Sequence, residues 1–210
     1  MAELIIVSGA NGSGKSRLGN FLSKKHNIPF IDTDMYYKKK YGIYRNYSNE
    51  EMAETSIELK KLRNSYFKLN QSFIIERILN NPNAIKKIIT TAKEYNFEVN
   101  MFYVGVDEIT TLKNRINSRY LKGEHNVDRN TVLHNLKECK NNFNDIANMC
   151  DHVLVYDNSI DGRSLKLISE IENGNIICQN KIDGKTVNWY EQLVKFAKKE
   201  KNSFKPNIER

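Results

Sequence analysis

Cysteine is scarce in this chain: three residues of 210, Cys139, Cys150 and Cys178. An odd, widely spaced set excludes a disulfide framework and lacks the paired spacing of a zinc site. The three are expected to be reduced residues of a cytoplasmic protein. There are only three prolines, and no Pro/Gly/Ser-rich stretch marks a linker. No internal repeat or low-complexity segment is visible, so one domain is expected over residues 1–210. No apolar run approaches the ~20 residues of a membrane span. The first residues lead almost directly into a strand, without a basic region followed by a long apolar stretch. Neither a membrane anchor nor a secretory signal is therefore expected. Acidic residues are outnumbered, 25 against 33 Lys and Arg, for a net charge of +8. That excess suits nucleic acid or phosphorylated substrates. Much of it, however, sits in Lys38, Lys39 and Lys40 and in the tail from Lys195 to Arg210, and such tails are more often solvated helix faces.

What the chain does contain is an alternation of short apolar runs and longer helical patterns. Strands are expected at Leu4–Ser8, Ile28–Thr33, Ser72–Glu76, Val99–Gly105 and His152–Asp157. Helix starts are signalled between them. Ser48 and Glu51 form a capping box before a helix reaching about Leu69. Pro82 suits the first turn after Asn81. Asp107 can cap a helix with Ile109, Leu112 and Ile116 on one face, and Asp128 can cap another running to about Met149. The order predicts an α/β fold: a five-stranded parallel sheet flanked by helices. A lid-like insertion is expected near residues 115–130. After Asn158, in a C-terminal extension over about 160–210, Ile176–Gln179 reads as a strand. Asp183-Gly184 reads as a tight hairpin turn, and Val187 onward as a final helix.

The most specific signal is Gly9-Ala10-Asn11-Gly12-Ser13-Gly14-Lys15-Ser16, which fits G-x-x-x-x-G-K-[ST] between a strand and a helix. Glycines let the backbone turn tightly and approach a ligand closely. Successive N–H groups then line one anion-binding concavity, reinforced by the positive end of the following helix. ATP is the expected occupant, with Lys15 reaching its β- and γ-phosphates and the Ser16 hydroxyl holding Mg²⁺. A turn of this kind without a ligand is the alternative.

Carboxylates follow at strand ends, where ligands of parallel sheets sit. Asp32 and Asp34, two apart on an extended chain, would point to the same side. One can take the proton of an acceptor hydroxyl and the other can orient the Mg²⁺ shell. Alternatively, Asp34 simply caps the next helix. Glu76-Arg77 end the run Phe73–Ile75, either as part of a substrate site or as a strand end reaching water. Glu76 can accept from substrate hydroxyls or support Mg²⁺ through water. Arg115, Arg119 and Lys122 recur at i, i+4 and i+7 on one helical face. They suit a lid whose arginines stabilise a transferring phosphoryl group, or a solvated basic face.

These residues together resemble the zeta toxin family of P-loop kinases, known for phosphorylating UDP-N-acetylglucosamine. The similar features are GANGSGKS, I-D-T-D, F-I-I-E-R, R-I-N-S-R-Y with G-E-H-N-V, and V-Y-D-N-S at Val155–Ser159. The resemblance implies ATP and Mg²⁺ at the loop, Asp34 as the base and Glu76 near a sugar-nucleotide acceptor. It also implies Arg119 as a lid arginine, with the stretch after Asp157-Asn158-Ser159 near the adenine. A toxin role would bring an antitoxin partner. Two departures stand out. Arg77-Ile78 replace a Thr-Thr pair, and no arginine stands near His134-Asn135, so that Arg115, Lys122 or Arg129 must substitute or transfer is slow.

Three functions are compatible with these residues. The first is a kinase for a hydroxyl of a sugar nucleotide or similar small molecule. The second is a 5′-polynucleotide kinase or related enzyme acting on nucleic acid, for which Tyr36, Tyr37 and Tyr41 are candidate stacking residues. The third is an ATP-binding protein whose catalysis has decayed.

Overall fold

A computed structural model describes residues 1–42, 45–107, 109–120 and 127–193, without the side chains of residues 109, 119 and 120. The apolar run after Ala2 forms β1 (Glu3–Ser8). Its side chains alternate: Leu4 and Ile6 enter one core, while Ile5 and Val7 enter another on the opposite face. A strand buried on both faces belongs at the centre of a helix-covered sheet, and β1 lies there. It pairs in parallel with β3 (Phe73–Arg77) on one side and β4 (Glu98–Gly105) on the other. β2 (Phe30–Ile31) extends the sheet beyond β3, and β5 (His152–Asp157) extends it beyond β4, again in parallel.

Helices connect the parallel strands. They are α1 (Lys15–His26), α2 (Thr33–Tyr41), α3 (Asn49–Lys68), α4 (Pro82–Glu94), α5 (Ile109–Tyr120) and α6 (Arg129–Ala147). The capping box at Ser48 and Glu51 forms, Asn81 caps α4 with Pro82 in its first turn, and Asp128 caps α6. Leu112 and Ile116 of α5 are buried over Ala10 and Val132, which seats this helix on the glycine loop. No helix among the described residues is long and apolar enough to cross a membrane.

The sheet departs from the expected five parallel strands. Among the described residues it has seven, in the order β2-β3-β1-β4-β5-β6-β7. β6 (Lys166–Glu172) and β7 (Asn175–Gln179) add an antiparallel edge. β6 hides in the sequence because its register shifts at both neighbours, so its inward side chains include Ile168 and Ile171, three apart as on a helix. The β6–β7 hairpin turns at Asn173-Gly174, both with positive φ (47° and 76°), as a two-residue turn of this hand requires. The expected turn at Asp183-Gly184 also forms, but it closes a single bridge, Ile182 to Lys185. Helical residues begin at Asn188 and put Trp189 against Gly105. Lys122, residues 123–126 of the G-E-H-N-V segment and the tail from Lys195 lie outside the described residues.

Candidate active site

Gly9 through Gly14 leave the end of β1 and lead into α1. At Gly9, φ is +142° and a side chain would strike the carbonyl of Val104. At Gly14, φ is +106° and a Cβ would lie 2.6 Å from the Asn158 amide nitrogen. No residue with a side chain replaces either without strain. α1 has no side-chain cap, so its first amides face a cavity of about 230 Å³ lined by Asn11, Gly12, Gly14, Lys15 and Ser16. Uncapped amides at a helix N-terminus suit a phosphate. Lys15 is buried and donates to the Ala10 carbonyl at 2.9 Å. Ser13 Oγ is buried with no hydrogen-bond partner among the described residues.

Asp32, Asp34 and Glu76 border the same cavity. Glu76 reaches inward from β3: Oε2 accepts from Ser16 Oγ at 2.7 Å, and Oε1 lies 3.5 Å from Lys15 Nζ. Its contacts are thus with the loop's lysine and serine. The extended stretch expected from Asp32 to Asp34 does not form. Asp32 caps α2, with Oδ1 accepting from the backbone N–H of Asp34 (2.9 Å) and Met35 (3.1 Å), and Asp34 follows in the first turn. A carboxylate that satisfies helix amides starts the helix early, which is why β2 ends at Ile31. Burial pushes the Asp32 carboxyl up to about 6, helped by Glu76 and Asp34 and opposed by the Met35 amide and Ser16.

Among the described residues no group of three or more His, Cys, Asp or Glu is placed to hold a metal by itself. Mg²⁺ does not require such a cage, because it is commonly held by one or two protein oxygens together with phosphate and water. The Ser16 hydroxyl, with Glu76 and Asp32 beside it, fits that pattern.

On the far side of the carboxylates lies a second cavity, of about 540 Å³. Asp32, Asp34, Glu76 and Ile78 line both. Arg77 lines the second cavity, and its Nη1 donates to Thr33 Oγ1 at 3.2 Å. Sequence reasoning missed the wall contributed by α3, namely Ser56, Lys60, Arg63 and Asn64. Its trace was legible, since these polar residues share a helical face with buried Phe67.

Two expected residues serve the loop itself. Arg115 donates to the carbonyls of Asn158 (2.7 Å) and Gly12 (3.5 Å) and pairs with Asp161 at 2.6 Å. Asn158, expected near the nucleotide, donates its amide to the Ser13 carbonyl at 2.7 Å. Asp157 beside it accepts from Trp189 Nε1 at 2.8 Å. The Y-D-N-S segment therefore braces the loop from β5. The Arg119 side chain lies outside the described residues.

Asn135, where no arginine was found, is buried. Its amide donates to Asn11 Oδ1 at 2.7 Å, and its carbonyl accepts from Asn80 at 2.9 Å. This amide chain joins the loop to Asn80, which lines the second cavity. No charge pattern in the sequence signalled it.

A family model described as "Zeta toxin" matches residues 2–164. The chain belongs to the zeta toxin family. An uncharacterised protein of Haemophilus influenzae is 30% identical over 132 residues, 62% of this chain and 89% of that protein. Among solved structures, the AvrRxo1-ORF1:ORF2 complex crystallised with ATP superposes with a TM-score of 0.67 at 14% identity, over 93% of this chain. The chain spans 63% of that protein's length. The PezAT toxin–antitoxin system of Streptococcus pneumoniae superposes with a TM-score of 0.59 at 16% identity, over 96% of this chain and 87% of that one. At these identities the likeness is one of fold. It agrees with the α/β sheet flanked by helices, with the glycine loop at the end of its central strand.

Proposed function

We propose that this protein is an ATP- and Mg²⁺-dependent kinase that phosphorylates a hydroxyl of a small acceptor, with a sugar nucleotide such as UDP-N-acetylglucosamine as the expected class. The observation that carries this reading is the wall of carboxylates shared by two cavities, one over the glycine loop and one beyond it. A donor in the first and an acceptor in the second would meet at Asp32, Asp34 and Glu76. Phosphoryl transfer asks for little more than positioning, cations and a base.

In this reading the loop amides and Lys15 hold the triphosphate. Ser16 holds Mg²⁺, supported by Glu76. Asp34 removes the acceptor's proton as its oxygen attacks phosphorus. Asp32 sets the position of Asp34 by capping α2. Arg77 faces the acceptor, while Arg115 and Asn158 keep the loop in shape and Arg119 acts from the lid. An antitoxin covering the ATP site is proposed by family membership alone.

The nucleic-acid reading rests on the net charge, but the tyrosine cluster favours it less than the sequence does. The rings of Tyr37 and Tyr47 stack on each other at 4.3 Å, and both lie against Tyr41. One face of Tyr37 and one face of Tyr47 are thus taken by each other. The test is a mass-spectrometric screen for ATP-dependent products over sugar nucleotides, sugars and short oligonucleotides, with Lys15→Ala as control. A phosphorylated small molecule that the control does not make supports the proposal. A phosphorylated oligonucleotide, or no product at all, contradicts it.

A further inference from the structure

The family match ends at residue 164, yet the chain beyond it enters the core. Trp189, Tyr190 and Leu193 are all buried there. Tyr190 is fixed to the antiparallel edge of the sheet. Its hydroxyl donates to Ser169 Oγ of β6 at 2.8 Å, and Ser169 Oγ donates to the Cys178 carbonyl of β7 at 3.1 Å. Its neighbour Trp189 meets the ends of β4 and β5. Gly105, at the end of β4, has no positive φ that would call for glycine. Space calls for it instead: a Cβ there would lie 2.1 Å from the Trp189 ring.

A ring packed on backbone has little room to slide, so Trp189 holds its Nε1 in one place. That nitrogen donates to Asp157 Oδ1 at 2.8 Å. Asp157 is buried, and its carboxylate also accepts from the Ser159 hydroxyl (2.5 Å) and the Ser159 backbone N–H (3.2 Å). These donors are neutral, so each carries a large share of what keeps the carboxylate in place. The next residue is Asn158. Its backbone N–H donates to the Gly105 carbonyl at 2.9 Å, and its side-chain amide donates to the Ser13 carbonyl at 2.7 Å. Trp189 and Ser13 also line one narrow void beneath the glycine loop, of about 10 Å³.

We propose that Trp189 is a positioning residue for the glycine loop: through Asp157 and Asn158 it sets the place of Ser13, and with it the amides that receive phosphate. Trp189 does not line the cavity over the loop, so its effect on a nucleotide passes through the loop itself. Amides already held in position bind an anion without first being ordered, and a loosened loop binds it more weakly. The chain after residue 164 is then part of the nucleotide-binding machinery. This assignment rests on the reading of the loop as a nucleotide site and adds to it an element that lies outside the family match.

The test titrates the full chain with a non-hydrolysable ATP analogue and Mg²⁺ by calorimetry. Trp189→Phe keeps an aromatic ring and removes the N–H. Its affinity is expected to fall about tenfold, as for a lost hydrogen bond to a charged group. Tyr190→Phe removes the neighbouring hydroxyl and its bond to Ser169 without touching Asp157. It should lose stability in urea melts but bind the analogue as the wild type does. An equal loss of affinity in both variants, or none in Trp189→Phe, overturns the proposal. The route is tested by a double variant. Trp189→Phe with Asn158→Ala is expected to bind no more weakly than Asn158→Ala alone, and losses that multiply contradict it. Hydrogen exchange of the nucleotide-free chain gives a reading that needs no ligand. Exchange over residues 9–16 is expected to be faster in Trp189→Phe and unchanged in Tyr190→Phe; unchanged exchange in Trp189→Phe overturns the proposal. Should Trp189→Phe not fold, Asp157→Asn tests the link from its other end, because its amide would turn a donor toward one of the present donors. The same loss of affinity and the same faster exchange are expected, and wild-type values overturn the proposal. If the analogue does not bind the wild type, the nucleotide reading fails separately, and exchange still decides on Trp189.

Discussion

Ser16 Oγ donates to Glu76 Oε2 across 2.7 Å, joining the glycine loop to the end of the neighbouring strand from sixty residues away in sequence. The hydroxyl that would ligate a metal and the carboxylate that would support it are thus already assembled. Glu76 also repels phosphate when no cation stands between them. Glu76→Gln is therefore expected to act in opposite directions. Metal-free nucleotide should bind more tightly, and nucleotide with Mg²⁺ more weakly by about tenfold, the loss expected when a supporting carboxylate is removed. Titration of a fluorescent ATP analogue with and without Mg²⁺ measures both. Equal shifts of the same sign would contradict the assignment.

Asp32 gives a pH-dependent stability. Its carboxyl rises from 3.8 to about 6 in the folded chain, chiefly through burial. The folded state therefore keeps a proton that the unfolded state has lost, and stability falls as pH rises from about 4 to about 6. Asp32→Asn keeps an oxygen for the α2 cap and removes the charge. In EDTA at pH 7 it is expected to be more stable than the wild type by on the order of 1 kcal/mol or more, with the difference gone below pH 4. Urea melts across this range check the sign.

The amide chain Asn80–Asn135–Asn11 ties α6 to both cavities. Asn135→Leu conserves size but leaves both partners without it. It is expected to cost about 1–3 kcal/mol, the range for stranded buried polar groups. It should also slow transfer more than it weakens nucleotide binding, because the loop and the Asn80 side of the acceptor cavity lose their common anchor. Urea denaturation gives the first value, and a split between kcat and nucleotide affinity gives the second.

Gly14→Ala meets two obstacles, a positive φ and the Asn158 amide nitrogen 2.6 Å from the new Cβ. Nucleotide affinity is expected to fall about tenfold or more, since strain on the order of 1–3 kcal/mol enters the cradle. Asn158→Ala in the same chain removes the clash and leaves the φ strain. It also removes the bond to the Ser13 carbonyl. The double variant is expected to stay impaired, as nucleotide titration would show.

The parts of this molecule that follow from local chemistry could be read from the chain. The glycine loop, the Ser48 and Asp128 caps and the five parallel strands each have a signature within a few residues. What could not be read depends on long-range geometry. β6 escaped because its bulges disguise a strand with helix-like spacing of Ile168 and Ile171. Asp32 as the α2 cap was mistaken for part of an extended stretch, because spacing alone does not tell where a helix begins. Asn135 and Arg63 gain meaning only once α6 and α3 are folded against the strand ends. Asp34 was expected at an extended strand end; it lies instead in the first turn of α2, where it borders both cavities.

The central claim is that Asp34 stands between donor and acceptor as the base. The direct measurement is the rate of ATP-dependent product formation by Asp34→Asn, alongside its affinity for a non-hydrolysable ATP analogue with Mg²⁺. The account predicts a rate roughly 10²–10⁴-fold lower, the usual contribution of a general base, with analogue binding retained. Transfer by Asp34→Asn at the wild-type rate would contradict it.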